Sequence, residues 1–278
     1  MNDSSAPDPA EIPGQHQAPA VLEVRDVTVR FGGLTALADV SLAVPPRHIR
    51  GVIGPNGAGK TTLLNVLCGF IRPDHGEVLF DGTSHRALRP HHLAALGVAR
   101  TLQGVGLFAG LTVLENVMVG ATPQAKAGFA GALLSLRRAR REERTLAEQA
   151  TQAMERVGVA HLRDSLPAEL SYGIRKRIAL ARALAAKPRL LFLDEPASGL
   201  DDAELDELGQ LIRDLASEAS LVVVEHHMDL MMSVCDEITV LDFGKVISAG
   251  TPREVQADPA VTAAYLGAAQ DTPERAGE

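Results

Sequence analysis

The stretch "GVIGPNGAGKTTLLNVLCGF", residues 51–70, breaks an apolar run with three glycines and a lysine and then resumes it at once. A backbone that must wrap closely around something needs residues without side chains, and Gly54, Gly57 and Gly59 stand just where the apolar "RGVI" ends. After Lys60, the positions of Leu63, Leu64, Val66 and Leu67 predict a helix with one buried face. Strand, glycine loop and helix together make an anion trap, because loop amides and the positive end of a helix both favour phosphate oxygens. Gly54, Pro55, Asn56, Gly57, Ala58, Gly59, Lys60 and Thr61 complete the spacing G-x-x-x-x-G-K-[ST], with Thr62 following. Lys60 is expected on the outer phosphates of a nucleotide, and the Thr61 hydroxyl on Mg2+. The competing reading is a glycine turn with a surface lysine. The four fixed positions would arise by chance in roughly one chain of this length in a hundred, which favours the phosphate loop.

Composition narrows the classes. A chain of 278 residues, 46% of them hydrophobic, can bury a large core. Its net charge of −8 gives no bulk attraction to nucleic acid, and no nucleic-acid partner is expected. Cys68 and Cys235 lie far apart, without metal or redox spacing, and read as small buried residues in a reducing compartment. No apolar run reaches the length of a membrane span and no secretion signal opens the chain, so a cytoplasmic protein is expected. Residues 1–19 and 268–278 are polar and read as disordered tails.

Between them, short strands alternate with helices. "VLEVRDVTVR", "SLAV" and "EVLFDG" suit half-buried strands, whereas "LLFLD" and "LVVVE" are continuous apolar runs suited to the middle of a parallel sheet. The class is therefore α/β. From about residue 88 the chain turns rich in Ala, Leu, Arg and Glu and reads as a helical lobe, including "RRARREERTLAEQ" as a solvated helix face.

Further pieces of a hydrolytic site follow. "RLLFLDEP" sets Asp194 at the end of a buried strand, where its carboxylate can address Mg2+, with Glu195 beside it as candidate base for the attacking water. "LSYGIRKRIALARALAAKPRL" starts at Ser171 and Gly173 and runs into a helix that buries Ile178, Leu180, Ala181 and Ala185. A serine hydroxyl, a glycine amide and a helix N-terminus form a second phosphate site, best used by a partner molecule. Asp201 can cap the next helix, with Glu204 at capping-box spacing.

These motifs, in this order, resemble an ABC transporter ATP-binding subunit over residues 21–267. The resemblance implies a P-loop ATPase core with a mixed sheet, an N-terminal antiparallel β subdomain and a helical signature lobe of about 88–186, within a domain of 20–267. It makes Gln103 in "RTLQGVGLF" the Q-loop glutamine and a metal-site residue, "LSYGI" the signature, "LLFLDE" the Walker B strand, Asp201 the D-loop residue and His226 the switch histidine. It also implies Mg2+ with ATP as substrate, and a head-to-tail dimer with a second ATPase subunit. Ser171 and Gly173 of one chain would there complete the site of the other. Transmembrane permease subunits, and indirectly a solute-binding protein, would be further partners, placing the chain on the inner face of the membrane.

Tyr172 and Ile174 depart from the commonest signature, L-S-G-G-Q, which leaves a slowly hydrolysing subunit as an alternative. Phe31 in "VRFGGLTAL" has two readings, a ring stacked on adenine or a core residue in register with Val27 and Val29. His226 and His227 are neighbours on an extended segment and are expected to point to opposite sides, with His227 at a helix start or on the surface. The resemblance also implies that Leu107 and Phe108, expected to be exposed, lie in a groove for a short permease helix; the competing reading packs Phe108 inside the lobe. The stretches at residues 30–42, 100–120, 121–150 and 224–267 are similar to the branched-chain amino acid importer group. A lipopolysaccharide-export ATPase and a non-transport regulatory ATPase remain alternatives.

Overall fold

The computed structural model describes residues 20–101, 104–122 and 136–270. The expected tail at 1–19, residues 271–278 of the tail expected at 268–278, the middle of the expected insertion and Gln103 lie outside the described residues; residues 268–270 instead end a helix that begins at Pro259.

The first sheet follows from half-buried alternation. β1 (Leu22–Phe31), β2 (Leu34–Val44), β4 (His75–Phe80) and β5 (Thr83–Ser84) form an antiparallel sheet in the order β2-β1-β4-β5. Leu22, Val24, Val27 and Val29 of β1 are buried, and the register shifts between Val24 and Val27, where Asp26 takes a positive φ of 49°. The Ser41 hydroxyl fixes that bulge, accepting the Asp26 N–H at 2.8 Å and donating to the Asp26 carboxylate at 3.0 Å.

Continuous apolar runs form the centre of the second sheet. β3 (Ile49–Ile53), β7 (Leu190–Asp194) and β8 (Ser220–Val224) are buried at every position. With β6 (Val98–Arg100), β9 (Glu237–Asp242) and β10 (Lys245–Gly250) they take the order β10-β9-β3-β8-β7-β6. All neighbours pair in parallel except the β10–β9 hairpin at one edge. Val98–Arg100 falls inside the stretch expected as helical lobe, yet it pairs with Leu190–Phe192. The chain thus visits the main sheet before the lobe helices begin, in a strand of three residues that is too short to show a period of two.

Helices cover this sheet and build the lobe. α1 (Lys60–Leu67) buries Leu63, Leu64, Val66 and Leu67, the face its spacing predicts. α2 (Val113–Ala121), α3 (Leu136–Arg156) and α4 (Tyr172–Ala185) pack together through Val113 and Val117, Ala150 and Met154, and Ile178 and Ala181. Gly120 lets α2 and α4 touch, since a Cβ there would stand 1.8 Å from the Arg182 carbonyl oxygen. The described charged residues of α3, from Arg140 to Glu148, lie mostly on its solvated face. α5 (Asp202–Ala216) starts at an Asp201–Glu204 capping box, and α6 (Met228–Val234), α7 (Pro252–Ala257) and α8 (Pro259–Gln270) complete the described chain. Among the described residues no helix is long and apolar enough to cross a membrane. Cys68 and Cys235 are free and buried, and burial pushes their thiols up to about 11 and about 12.

Candidate active site

Parallel pairing decides where the motifs meet. Val52 of β3 stands opposite Val224 of β8, and Val224 opposite Asp194 of β7, so the three strands end at one edge. Open parallel sheets present their ligand crevice at such carboxyl ends.

From the end of β3 the glycine loop runs over to α1. Gly54 lies where a Cβ would meet the Leu241 carbonyl oxygen at 2.1 Å, so its close approach excludes any side chain. Gly59 caps α1 at φ 105°, and no acidic residue occupies the first turn of that helix to compete with an anion. Lys60 is buried, and its ammonium donates to the carbonyl oxygens of Gly54 at 2.6 Å and Pro55 at 2.9 Å. Burial lowers its pKa, while the nearby Glu195 and Glu225 carboxylates act in the opposite sense. Thr61 is exposed and Thr62 half-buried on the first turn. Phe31 ends β1 with 51% of its surface exposed, beyond the core that holds Val27 and Val29, so the core reading of this ring is not what the fold adopts.

β7 delivers the two acids. Asp194 is buried, and its carboxylate accepts from Arg100 Nη2 at 2.8 Å. Arg100 also donates to Asn65 Oδ1 on α1 at 3.0 Å. The Thr101 hydroxyl accepts the Asp194 N–H at 3.2 Å. Glu195 takes a positive φ of 46°, a conformation that costs about 1–3 kcal/mol and persists only where its surroundings impose it. Its N–H donates to the Val224 carbonyl at 2.9 Å, and Lys176 Nζ donates to the carbonyls of Glu195 and Pro196, each at 3.0 Å.

Ser171 caps α4 by accepting the Ile174 N–H at 3.3 Å and is itself exposed. Gly173 is buried, with the Glu204 carboxylate so close that an added Cβ would lie 2.2 Å from Oε1. The unusual Tyr172 has a place within its own chain. Its ring lies beneath Lys176 Nζ, 5.3 Å from the centroid, and alongside Gly199, one residue from the start of the 200–201 corner that caps α5. Asp201 accepts the Glu204 N–H at 2.9 Å as that cap.

β8 delivers the histidines, and here one expectation fails. The rings of His226 and His227 lie side by side, with centroids 4.7 Å apart, rather than on opposite sides. The strand ends at Val224 and the chain is already turning into α6, for which His227 is the cap residue, so extended alternation no longer applies. His226 is exposed, with Nδ1 3.2 Å from Glu225 Oε2. Two members of this site escaped sequence reading. Arg100 ends a strand too short to be seen, and Glu225 was read only as the last residue of an apolar run.

Comparison with known proteins agrees with this geometry. The model of the family described as ABC transporter matches residues 37–198, and that of the Branched-chain amino acid ATP-binding cassette transporter matches residues 245–271. The chain belongs to the ABC transporter family, as an ATP-binding, ATP-hydrolysing subunit of its branched-chain amino acid branch. It is 40% identical over 251 residues to the high-affinity branched-chain amino acid transport ATP-binding protein BraF of Pseudomonas aeruginosa, covering 90% of this chain and 98% of that protein. A solved ATP-binding cassette of an ABC transporter in its ADP conformation superposes with a TM-score of 0.77 at 28% identity, covering 89% of this chain and 99% of the other. A dimeric bacterial ABC transporter cassette gives 0.70 at 25% identity, covering 84% and 99%.

The Arg100–Asp194 pair is nearly buried, at 12% and 2% side-chain exposure. Arg100→Ala would leave an uncompensated carboxylate and is expected to cost on the order of 3 kcal/mol in urea unfolding. A loss below 1 kcal/mol, roughly the level of a surface pair, would mean that the pair contributes little to holding β6 and β7.

Proposed function

We propose that this chain is the energy-coupling ATPase of an importer for branched-chain amino acids or a related small polar solute. The observation that carries the reading is the convergence of the glycine loop, Asp194–Glu195 and His226 at three aligned strand ends. The match of residues 245–271 to the branched-chain model supports import over the lipopolysaccharide-export alternative. Gly54 to Thr62 hold the phosphates, with Lys60 leaving its two carbonyl partners for the outer phosphates. Phe31 offers an open ring face to adenine, which stacking requires.

The residues present fit a Mg2+ ion. Thr61 and Asp194 are hard oxygen donors of the kind Mg2+ takes. Asp194 already faces a cation in Arg100, which marks this carboxylate as one placed to meet positive charge. Gln103 is proposed as a further metal-site residue. The bound ion would neutralise charge on the outer phosphate oxygens. Glu195, fixed by its backbone at the end of β7, orients and deprotonates the attacking water, and His226 contacts the γ-phosphate. The phosphate is completed by Ser171 and Gly173 of a second ATPase subunit, identical or related, with Asp201 at the contact. Two such subunits work beneath transmembrane permease subunits on the cytoplasmic face, and a solute-binding protein acts through the permease.

Glu195→Gln keeps the shape of the side chain and removes the base. Hydrolysis is expected to fall by about 10²–10⁴, with the ATP-bound dimer accumulating on a sizing column. Near-normal steady-state turnover would remove Glu195 from that role, while Lys60→Ala is expected to weaken ATP binding itself.

Permease docking is proposed at Phe108; its neighbour Leu107, expected to be exposed with it, is half-buried and packs against the core. The Phe108 ring is 52% exposed while its backbone is clamped at both ends by the buried Asn116, which accepts the N–H at 2.8 Å and donates to the carbonyl at 3.1 Å. An exposed apolar ring on a fixed loop suits the apolar face of a short helix. Phe108→Asp is expected to preserve the isolated subunit's ATPase and melting temperature while abolishing co-purification with the permease. Undiminished co-purification would refute the docking site.

A further inference from the structure

Glu225 is the most deeply buried acid among the described residues, at 0% exposure, and the functions proposed above give it no part. A carboxylate withdrawn from water is costly unless its charge is met by hydrogen bonds or cations. Both of its oxygens are engaged, and they serve different segments. Oε1 accepts the Ala197 N–H at 2.8 Å. Oε2 accepts the N–H of His226 at 2.7 Å and of His227 at 3.3 Å. Glu225 is itself pinned to the centre of the sheet, since its N–H donates to the Val52 carbonyl of β3 at 3.3 Å. Lys60 and Lys176 both feel its charge.

Ala197 lies two residues beyond Glu195, on the path to Asp201. We propose that Glu225 is a positioning residue that ties the switch segment, His226–His227, to the segment carrying Glu195, so that the two take up their reacting positions together. The inference rests on the role given to His226 above. The physical need is plain from exposure. The His226 side chain is half exposed, with the His227 ring against its own ring, and Glu225 Oε2 lies 3.2 Å from its Nδ1. Charge-assisted bonds to backbone N–H groups are the stronger class of hydrogen bond, and a bidentate acceptor holds two loops where one oxygen could hold one.

Glutamine is the informative substitution. Its single carbonyl oxygen can serve one loop, and its NH2 then faces a backbone donor of the other. In the full-length protein, Glu225→Gln is expected to lower kcat by about tenfold, the factor that corresponds to losing one charge-assisted hydrogen bond in the transition state. KM for ATP, and binding of a fluorescent ATP analogue, are expected to stay within about twofold, because none of the side-chain hydrogen bonds of Glu225 reaches the phosphate loop and contacts made equally in ground and transition state govern KM. A residue acting only as a structural anchor would not separate kcat from KM in this way.

The double variant makes the test specific. If Glu225 works through His226, Glu225→Gln added to His226→Ala should lower kcat by less than about a further twofold, as for residues that act as a unit. Multiplying losses in the double variant, or a Glu225→Gln kcat near wild type, would overturn the inference while leaving the role of His226 standing. An unchanged kcat in His226→Ala would instead remove the role given to His226, and this inference with it. Circular dichroism checks folding. Should Glu225→Gln not fold, the same cycle is run with Glu225→Asp, which keeps the charge but is too short to span both loops, and the same non-additivity is expected.

Discussion

The parallel register of β3, β8 and β7 is the constraint on which the rest depends. It brings three chain segments, distant in sequence, to one edge within hydrogen-bonding reach of each other. A slip of any one of these three buried strands would pull Asp194, Lys60 and Glu225 out of alignment. The local devices then build on it: a glycine loop that approaches Leu241 too closely for a side chain, the left-handed Glu195, and an arginine on Asp194. Conformational strain at Glu195 is tolerable because its N–H is bonded to β8 and its carbonyl to Lys176.

In the dimer proposed above, a single chain would supply only part of a phosphate cage. The corner proposed as the second anion-binding site, Ser171 at the start of α4, is exposed, while Gly173 is covered by Glu204 of the same chain. Tyr172 and Lys176 tie that helix start to the segments after β7, so a partner seated on Ser171 would feel the state of Glu195 through a short path. The departure of the signature from its commonest form thus has a structural content. The Tyr172 ring, partly exposed, stands against Gly199, while Ser171 caps α4 and Gly173 is buried on either side of it in the chain.

Much of this was legible in the sequence because each element carries a strong local signal. The phosphate loop is marked by backbone requirements that only glycine meets, β7 and β8 by unbroken apolar runs, and α5 by the Asp201–Glu204 capping box. The buried face of α4, with Ile178, Leu180, Ala181 and Ala185, also follows from spacing. What escaped depends on tertiary placement. β6 has three residues and exists because β7 offers it a partner edge, and Arg100 acquires meaning only from that pairing. The histidines lie side by side because the strand ends one residue before Glu225, and no period reveals that boundary. Glu225 itself looked like the polar end of a strand, since the donor that gives it a second segment to hold, the Ala197 N–H, lies 28 residues away in the chain, while His226 and His227 simply follow it.

The most direct test of a site shared between two chains is complementation. Lys60→Ala removes the phosphate lysine and Ser171→Arg obstructs the second corner, so each variant alone is expected to lack hydrolysis. Mixed in equal amounts, they form dimers in which one site joins the intact loop of the Ser171→Arg chain to the intact Ser171 of the other. ATPase activity measured on the mixture should therefore reappear. A mixture as inactive as its components, with mixed dimers verified by differential tagging, would contradict a composite site and return both phosphate-binding corners to one chain.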